Sequence, residues 1–250
     1  MNNERNRERF ERLMAGVKRP GIENLMNYIR RSDFFTAPAS TQFHLACPGG
    51  LLQHSLNVYD ALEAGLTPET APDGTPVRIY ACAGRRVAWF TEESVTIMGL
   101  LHDICKTNFY GTELRNRKVD GKWQQVPVYV VDDKVPYGHG EKSVMMIEQF
   151  MRLKPEERYA IRWHMGFTDT SDVRTISQAI ERYPAVWALH DADIKASKFM
   201  EGAGGNLPAF EAAPAQEPEP RQMSMEDLQR QAEAEAAMAD ADGFMEAESL

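Results

Sequence analysis

Apolar residues recur at helical spacing from the start of the chain. Phe10, Leu13, Met14 and Val17 fall at i, i+3, i+4 and i+7, and after Pro20 the pattern repeats with Ile22, Leu25, Met26 and Ile29. Two amphipathic helices are therefore predicted within residues 1–32, packing on the core. Residues 32–48 scatter Pro, Ala and Ser around Phe34 and Phe35 and read as a loop. Gly49-Gly50 then opens Leu51-Leu52-Gln53-His54-Ser55-Leu56-Asn57-Val58, a helix with His54 one turn inside it. Residues 64–78 are rich in Pro, Thr, Gly and Asp and read as a surface connection. Thr91 ahead of Glu92 and Glu93 has the form of an N-cap with first-turn acids. The apolar run Val95, Met98, Leu100 and Leu101 follows, so this helix is expected to be buried and to end at or near His102-Asp103.

From Tyr110 to Tyr137 the period changes to alternation broken by turns, and Asp120-Gly121 between strand-like runs signals a hairpin. Helices resume after Gly138-His139-Gly140, after Pro155, and from Pro184 to Met200, with Met145, Met146 and Met151 assigned to the core. Beyond Gly202 large apolar residues nearly vanish. Such a segment cannot offset its ordering entropy, so residues 203–250 are expected to be a disordered acidic Ala/Pro/Glu-rich tail, with a fluctuating helix between Met225 and Met238. The fold class expected is mainly α, a helical bundle over 33–202 with a small β-hairpin insertion at about 110–137.

Composition narrows the function classes. The 250 residues, 43% of them apolar, can bury one substantial core. The net charge of −9 is carried by the tail, where twelve acids from Glu201 onward face only Arg221 and Arg230, so residues 1–200 are nearly neutral. They lack the basic field that long nucleic acid requires. No apolar run reaches the roughly 18 residues of a membrane span, and the charged N-terminus has no signal-peptide core. A soluble, cytoplasmic protein without a membrane partner is expected. Cys47, Cys82 and Cys105 are widely spaced and indicate neither a disulfide framework nor a zinc knuckle.

The chemistry centres on His102-Asp103, with His54 upstream and Asp191 and Asp193 downstream. Imidazole and carboxylate mixed in this way suit a divalent ion, Mn, Fe, Co, Ni or Zn, and leave positions for water and a substrate oxygen. A metal-dependent hydrolase is the leading reading.

The ordered set His44-x-Ala46-x-x-Gly49-Gly50-Leu51-Leu52-x-His54-Ser55-Leu56, Leu100-Leu101-His102-Asp103-Ile104-Cys105-Lys106 and Ala192-Asp193 resembles the HD-domain superfamily of metal-dependent phosphohydrolases. The likeness spans residues 30 to 200 and is closest in motif to the HD domain of bacterial 3′-5′ exoribonucleases. It implies an HD helical bundle in which His54, His102, Asp103 and Asp193 bind a first metal, Asp193 being preferred to Asp191. Family members with further histidines between the pair and the last Asp imply His139 and His164 as ligands of a second metal bridged by Asp103. The resemblance also implies catalytic roles for Asp103, for Lys106 as the cation on a substrate phosphate and for His44 at the phosphate or leaving group. Asn57, one turn after His54, is a candidate to support the ligands.

Plainer readings stand beside these. His44 could be hydrogen-bonded structure, Lys106 a helix C-terminal charge, His139 a turn residue and His164 a core-edge imidazole; His190 has no motif. Gly49-Gly50 fits a tight helix entry, and Cys47 and Cys105 fit small packing roles. The exoribonucleases carry an additional OB domain, whereas residues 1–32 here read as helices. A nucleotide or short oligonucleotide is therefore the expected substrate, with Trp123, Tyr129 and Tyr137 of the insertion available to stack on a base. A di-iron oxygenase and a non-catalytic nucleotide-sensing HD module are the alternatives.

Overall fold

The computed structural model describes residues 2–169 and 172–201. The chain divides after Asn206, and all described residues fall in the first unit. The expectations for the 203–250 tail, including a helix between Met225 and Met238, lie outside the described residues. Among those residues are eight α-helices and two small antiparallel sheets.

The two amphipathic N-terminal segments form α1 (Asn3–Met14), capped by the Asn2 side chain on Arg5 N, and α2 (Ile22–Arg31). Their apolar stripes bury Phe10, Met14, Leu25, Met26 and Ile29 in the main core. Phe34 and Phe35, in the following loop, pack on Phe10 with ring centroids 5.0 and 5.7 Å away. α3 (Gly50–Ala64) begins at the Gly-Gly pair and buries His54 together with Leu51, Leu52, Leu56, Val58 and Leu62. α4 (Glu92–Leu101) is capped by Thr91 and buried at every position from Ser94 to Leu101. The continuous apolar run of its sequence requires this, because a helix apolar all round has no face for water. α3 lies against α1, α4 and α8 (Ala185–Lys195), while α5 (His139–Glu148) and α6 (Pro155–Trp163) pack as a pair and α6 rests on α8.

Two segments differ from the sequence expectation. Residues 64–78 are not merely a surface connection: β1 (Thr67–Thr70), β2 (Pro76–Cys82) and β3 (Arg85–Thr91) make an antiparallel meander in the order β1-β2-β3. Only Val77, Ile79 and Phe90 of these strands are deeply buried, too few to write a clear period of two. The second difference is α7 (Val173–Arg182), whose Asp172 side chain caps Thr175 N at 3.0 Å. Its Ile176 and Ala179 join Trp163 and Val186 in a small satellite core.

The expected hairpin forms, with β4 (Tyr110–Val119) paired to β5 (Lys122–Val131) through the two-residue Asp120-Gly121 turn. Both turn residues have positive φ, the geometry that twists with the strands. Met151 is buried and Met146 packs on the core, whereas Met145 lies in a surface hollow with Tyr137 and Arg162. Among the described residues no helix is long and apolar enough to cross a membrane.

Candidate metal centre

Two close backbone approaches bring the histidines together. A Cβ added to Gly99 would lie 2.8 Å from Tyr59 Cα, so only glycine lets α4 approach α3 closely enough to set His102 Nε2 3.3 Å from His54 Nε2. A Cβ on Gly140 would lie 2.1 Å from Arg162 O, and that contact seats α5 on α6 with the His139 and His164 rings 5.2 Å apart. We expect Gly99→Ala to cost about 1–3 kcal/mol as the helices separate. Urea unfolding measures the loss, and metal content of the folded variant should fall with it.

The helix ends where the chemistry begins. His102 is the C-cap of α4, and Asp103 leaves helical geometry at φ −106°, so their side chains converge with His102 Nε2 3.5 Å from Asp103 Oδ2. Asp103 is the centre of the cluster. Its Oδ2 also lies 3.4 Å from His54 Nε2, which in turn is 3.2 Å from Asp193 Oδ1 of α8. Its Oδ1 lies 2.7 Å from His139 Nε2 and 3.4 Å from His164 Nε2. Ligands about 2.1 Å from one ion stand roughly 3.0–3.4 Å from each other; the His54–Asp103, His54–Asp193 and His164–Asp103 separations fall in that range, with His102–Asp103 at 3.5 Å just above it and His139–Asp103 at 2.7 Å below it.

Every ring is held by its other nitrogen. Nδ1 of His102 donates to Gly99 O at 3.0 Å and Nδ1 of His164 to Ile161 O at 2.7 Å. Nδ1 of His54 bonds the Glu201 carboxylate at 3.0 Å, and Nδ1 of His139 lies 3.1 Å from Cys105 Sγ. Such anchoring fixes the ring orientation and turns Nε2 to the cluster, where the neutral ring presents the lone pair that binds metal. The site's chemistry fits an ion: His164 Nε2 and Asp103 Oδ1 are buried without a hydrogen-bond partner, the 2.7 Å approach of His139 being misaligned for one. Buried polar atoms left so cost about 1–3 kcal/mol each, which a cation between them would offset.

Searches of protein-family models, curated proteins and solved structures return no match to the chain. The site therefore rests on its own geometry. These His and Asp groups lie close enough to coordinate divalent metal ions: His54, His102 and Asp193 bring ligand atoms together, as do His102, Asp103 and His164, Asp103, Cys105 and His139, and His44, His54 and Glu201.

Electrostatics carry the same message. Burial opposes charge on His54, yet hydrogen bonds to Asp103, Asp193 and Glu201 outweigh it and hold its pKa well above the ordinary imidazole value. Burial likewise opposes a charged His139, and Asp103 raises its pKa to about 9. Asp103 itself is held well below the carboxylate range, with burial overcome by Lys106, His102 and His139. Without an ion, protons held on His54 and His139 offset the charge of the ionised carboxylates, and metal loading would displace those protons.

The remaining predicted residues separate clearly. Asp191 is half exposed and pairs with Lys195 at 2.6 Å, whereas Asp193 faces the cluster. His190 stands outside it, its Nδ1 donating to His164 O at 2.7 Å. Lys106, on a 3-10 turn after α4, is more than a helix-end charge: its Nζ lies 2.7 Å from Asp103 Oδ2. It borders a cavity of about 500 Å³ that also touches His44, Tyr110, His139, Thr168 and Asp193. His44 joins neither donor group around Asp103, and its buried Nε2 has no hydrogen-bond partner; its ring is 5.0 Å from that of His54. Tyr110 donates to Ala39 O at 3.1 Å, and burial pushes its pKa to about 12.

Two supporting residues escaped the sequence reading. Cys105 is not only a packing residue, since its sulfur sits against His139 Nδ1. Glu201, counted by sequence as the first acid of the tail, ends a π-helical turn (Ala196–Met200) that brings it to His54, and Asn57 Nδ2 donates to it at 2.8 Å. No sequence signal distinguishes it from the other tail acids. Glu201→Ala should weaken metal affinity by about 10–100-fold, as measured by competition with a chelating dye.

Proposed function

We propose that this chain is a metal-dependent phosphohydrolase or phosphodiesterase of the HD type, hydrolysing a phosphate ester of a nucleotide or short oligonucleotide. One observation carries the reading: four anchored imidazoles turn Nε2 toward the two oxygens of Asp103, which lies beside a lysine-lined cavity. The HD-type order of His54, His102-Asp103, Lys106 and Asp193 supports it further. Bound divalent ions would supply an activated water and neutralise charge developing at phosphorus.

The chain's own residues account for the rest. His54, His102, Asp103 and Asp193 would hold one ion, and His139 and His164 with Asp103 a second. Lys106 is charged throughout the working pH range, its pKa raised by Asp103 against the cost of burial. Its ammonium can bind a phosphate oxygen as it enters the cavity. His44, whose Nε2 lies 4.0 Å from the Glu201 carboxylate without a hydrogen-bond partner, is suited to the ester or leaving-group oxygen.

The test loads purified protein with Mn²⁺ and measures release of phosphate or nucleoside monophosphate across a nucleotide panel. Turnover that His102→Ala removes is the expected result. Absence of turnover by metal-loaded protein overturns the reading, and a di-iron signal with O₂ uptake replaces it.

A further inference from the structure

A polar seam joins α1 to α3. On α3 it consists of Gln53, Asn57 and Asp60, which share one face at i, i+4 and i+7, and on α1 of Asn6 and Arg9. Its two halves do different things. Arg9 Nη1 donates to Asp60 Oδ2 at 2.8 Å and Nη2 to the other carboxylate oxygen, an ion pair that clamps one helix to the other. The second half is a chain that leads to the metal centre. Asn6 Nδ2 donates to Gln53 Oε1 at 2.7 Å, Gln53 Nε2 to Asn57 Oδ1 at 2.8 Å and Asn57 Nδ2 to Glu201 Oε1 at 2.8 Å. Glu201 then bonds His54 Nδ1 at 3.0 Å.

The direction of this chain is set at its far end. A carboxylate accepts only, so Asn57 must turn its NH₂ toward Glu201. Its oxygen then faces Gln53, whose NH₂ must meet it, and the Gln53 oxygen is left for Asn6. Three donors in series therefore point toward the carboxylate that holds His54, and hydrogen bonds aligned in this way strengthen one another. Glu201 needs such a hold. Its side chain is 1% exposed, it sits at the end of a π-helical turn, and among the described residues only Asn57 and His54 supply its hydrogen bonds.

We infer that Asn6, Gln53 and Asn57 are positioning residues for the ligand His54, acting in series through Glu201, an assignment that rests on the metal-centre reading and not on the identity of the ester. On this assignment α1 belongs to the support of the centre as well as to the core. Packing by itself gives no reason for the amides, because replacing both partners of a hydrogen bond by apolar groups of the same shape is nearly neutral or stabilising. Ligand support does give one, since partners behind a metal-binding imidazole fix its orientation and govern affinity.

Mn²⁺ and Zn²⁺ titrations of the full chain in competition with a chelating dye test this, with urea unfolding in parallel. Asn57→Leu should weaken the first equivalent of ion by about tenfold or more, and Gln53→Leu and Asn6→Ala by less in the same direction. In a Glu201→Ala background none of them should cause a further loss, because all act through that carboxylate. Arg9→Ala is the control: it cuts the clamp in the same seam and should lower the urea midpoint while leaving metal affinity unchanged. Unaltered affinity in Asn57→Leu and Gln53→Leu overturns the inference. So does a loss that persists in full without Glu201, or one that Arg9→Ala reproduces. Wild-type protein that binds neither ion removes the metal centre and the relay together, whereas relay-dependent metal binding without turnover of any nucleotide ester removes the phosphoesterase reading and keeps the relay.

Discussion

Asp103→Asn should strip the protein of bound metal and reduce turnover by at least about 10²–10³-fold, the scale of losing one electrostatic anchor of a reaction centre. The side chain keeps its shape, so the effect isolates charge. Asp103 Oδ2 faces His54, His102 and Lys106, and Oδ1 faces His139 and His164. An amide presents one oxygen and one NH₂, and the NH₂ would point a donor at either set of ligands. Metal analysis of the purified variant alongside nucleotide turnover checks the expectation; retention of both metal and activity would move the centre elsewhere. Fold is monitored in parallel, because removing the carboxylate also leaves Lys106 without its partner.

The second large effect belongs to stability. Arg19, in the connection between α1 and α2, donates from Nη1 and Nη2 to Glu157, each at 2.5 Å, and from Nε to Glu93 at 2.8 Å. Glu157 is completely buried at the start of α6, where it also accepts from Lys154 N. This one guanidinium ties the N-terminal segment to α4 and α6. Arg19→Ala leaves the buried Glu157 without its ion-pair partner and should destabilise by about 3–5 kcal/mol. In urea, the midpoint should fall with an unchanged slope, and adding Glu157→Gln should restore part of the loss. Recovery is expected because the uncompensated charge, rather than the missing contact, carries most of the cost.

The same network sets an acid limit. Burial pushes the Glu93 carboxyl upward, but hydrogen bonds from Lys18 N and Arg19 outweigh it and leave the pKa below its usual 4.5. A depressed carboxylate contributes stability that is fully present above the unfolded value and is lost as pH falls through the folded one. Thermal melts of the wild type should therefore decline below about pH 4.5 more steeply than those of Glu93→Gln. Parallel declines would show that this carboxyl does not couple to unfolding.

Much of the helical framework was legible in the chain. The i, i+3, i+4, i+7 spacing of Phe10 to Val17 and of Ile22 to Ile29, the Thr91 cap and the Pro155 start all report local physics that a helix imposes on neighbouring residues. Asp120-Gly121 likewise announced its hairpin. The β1–β3 meander was hidden because its strands bury few side chains, and α7 because its few apolar positions, Ile176, Ala179 and Ile180, follow a polar turn. Motif order placed His54, His102, Asp103, His139, His164 and Asp193 together as candidates, since metal chemistry restricts which residue types can serve.

By itself, then, the sequence determined which groups were available: four imidazoles, two carboxylates and a lysine carried by helices or helix ends. Only the tertiary structure decided how they meet. Gly99 and Gly140 act through backbone contacts with residues far along the chain, and neither spacing predicts a distance. Asp193 was separated from Asp191 by the face of α8 turned toward His54, and Glu201 was recruited from an acidic run by one π-helical turn. Local periodicity encodes a helix because its interactions span four residues. The candidate metal centre is encoded by contacts between segments up to 147 residues apart, and those exist only once the core has packed.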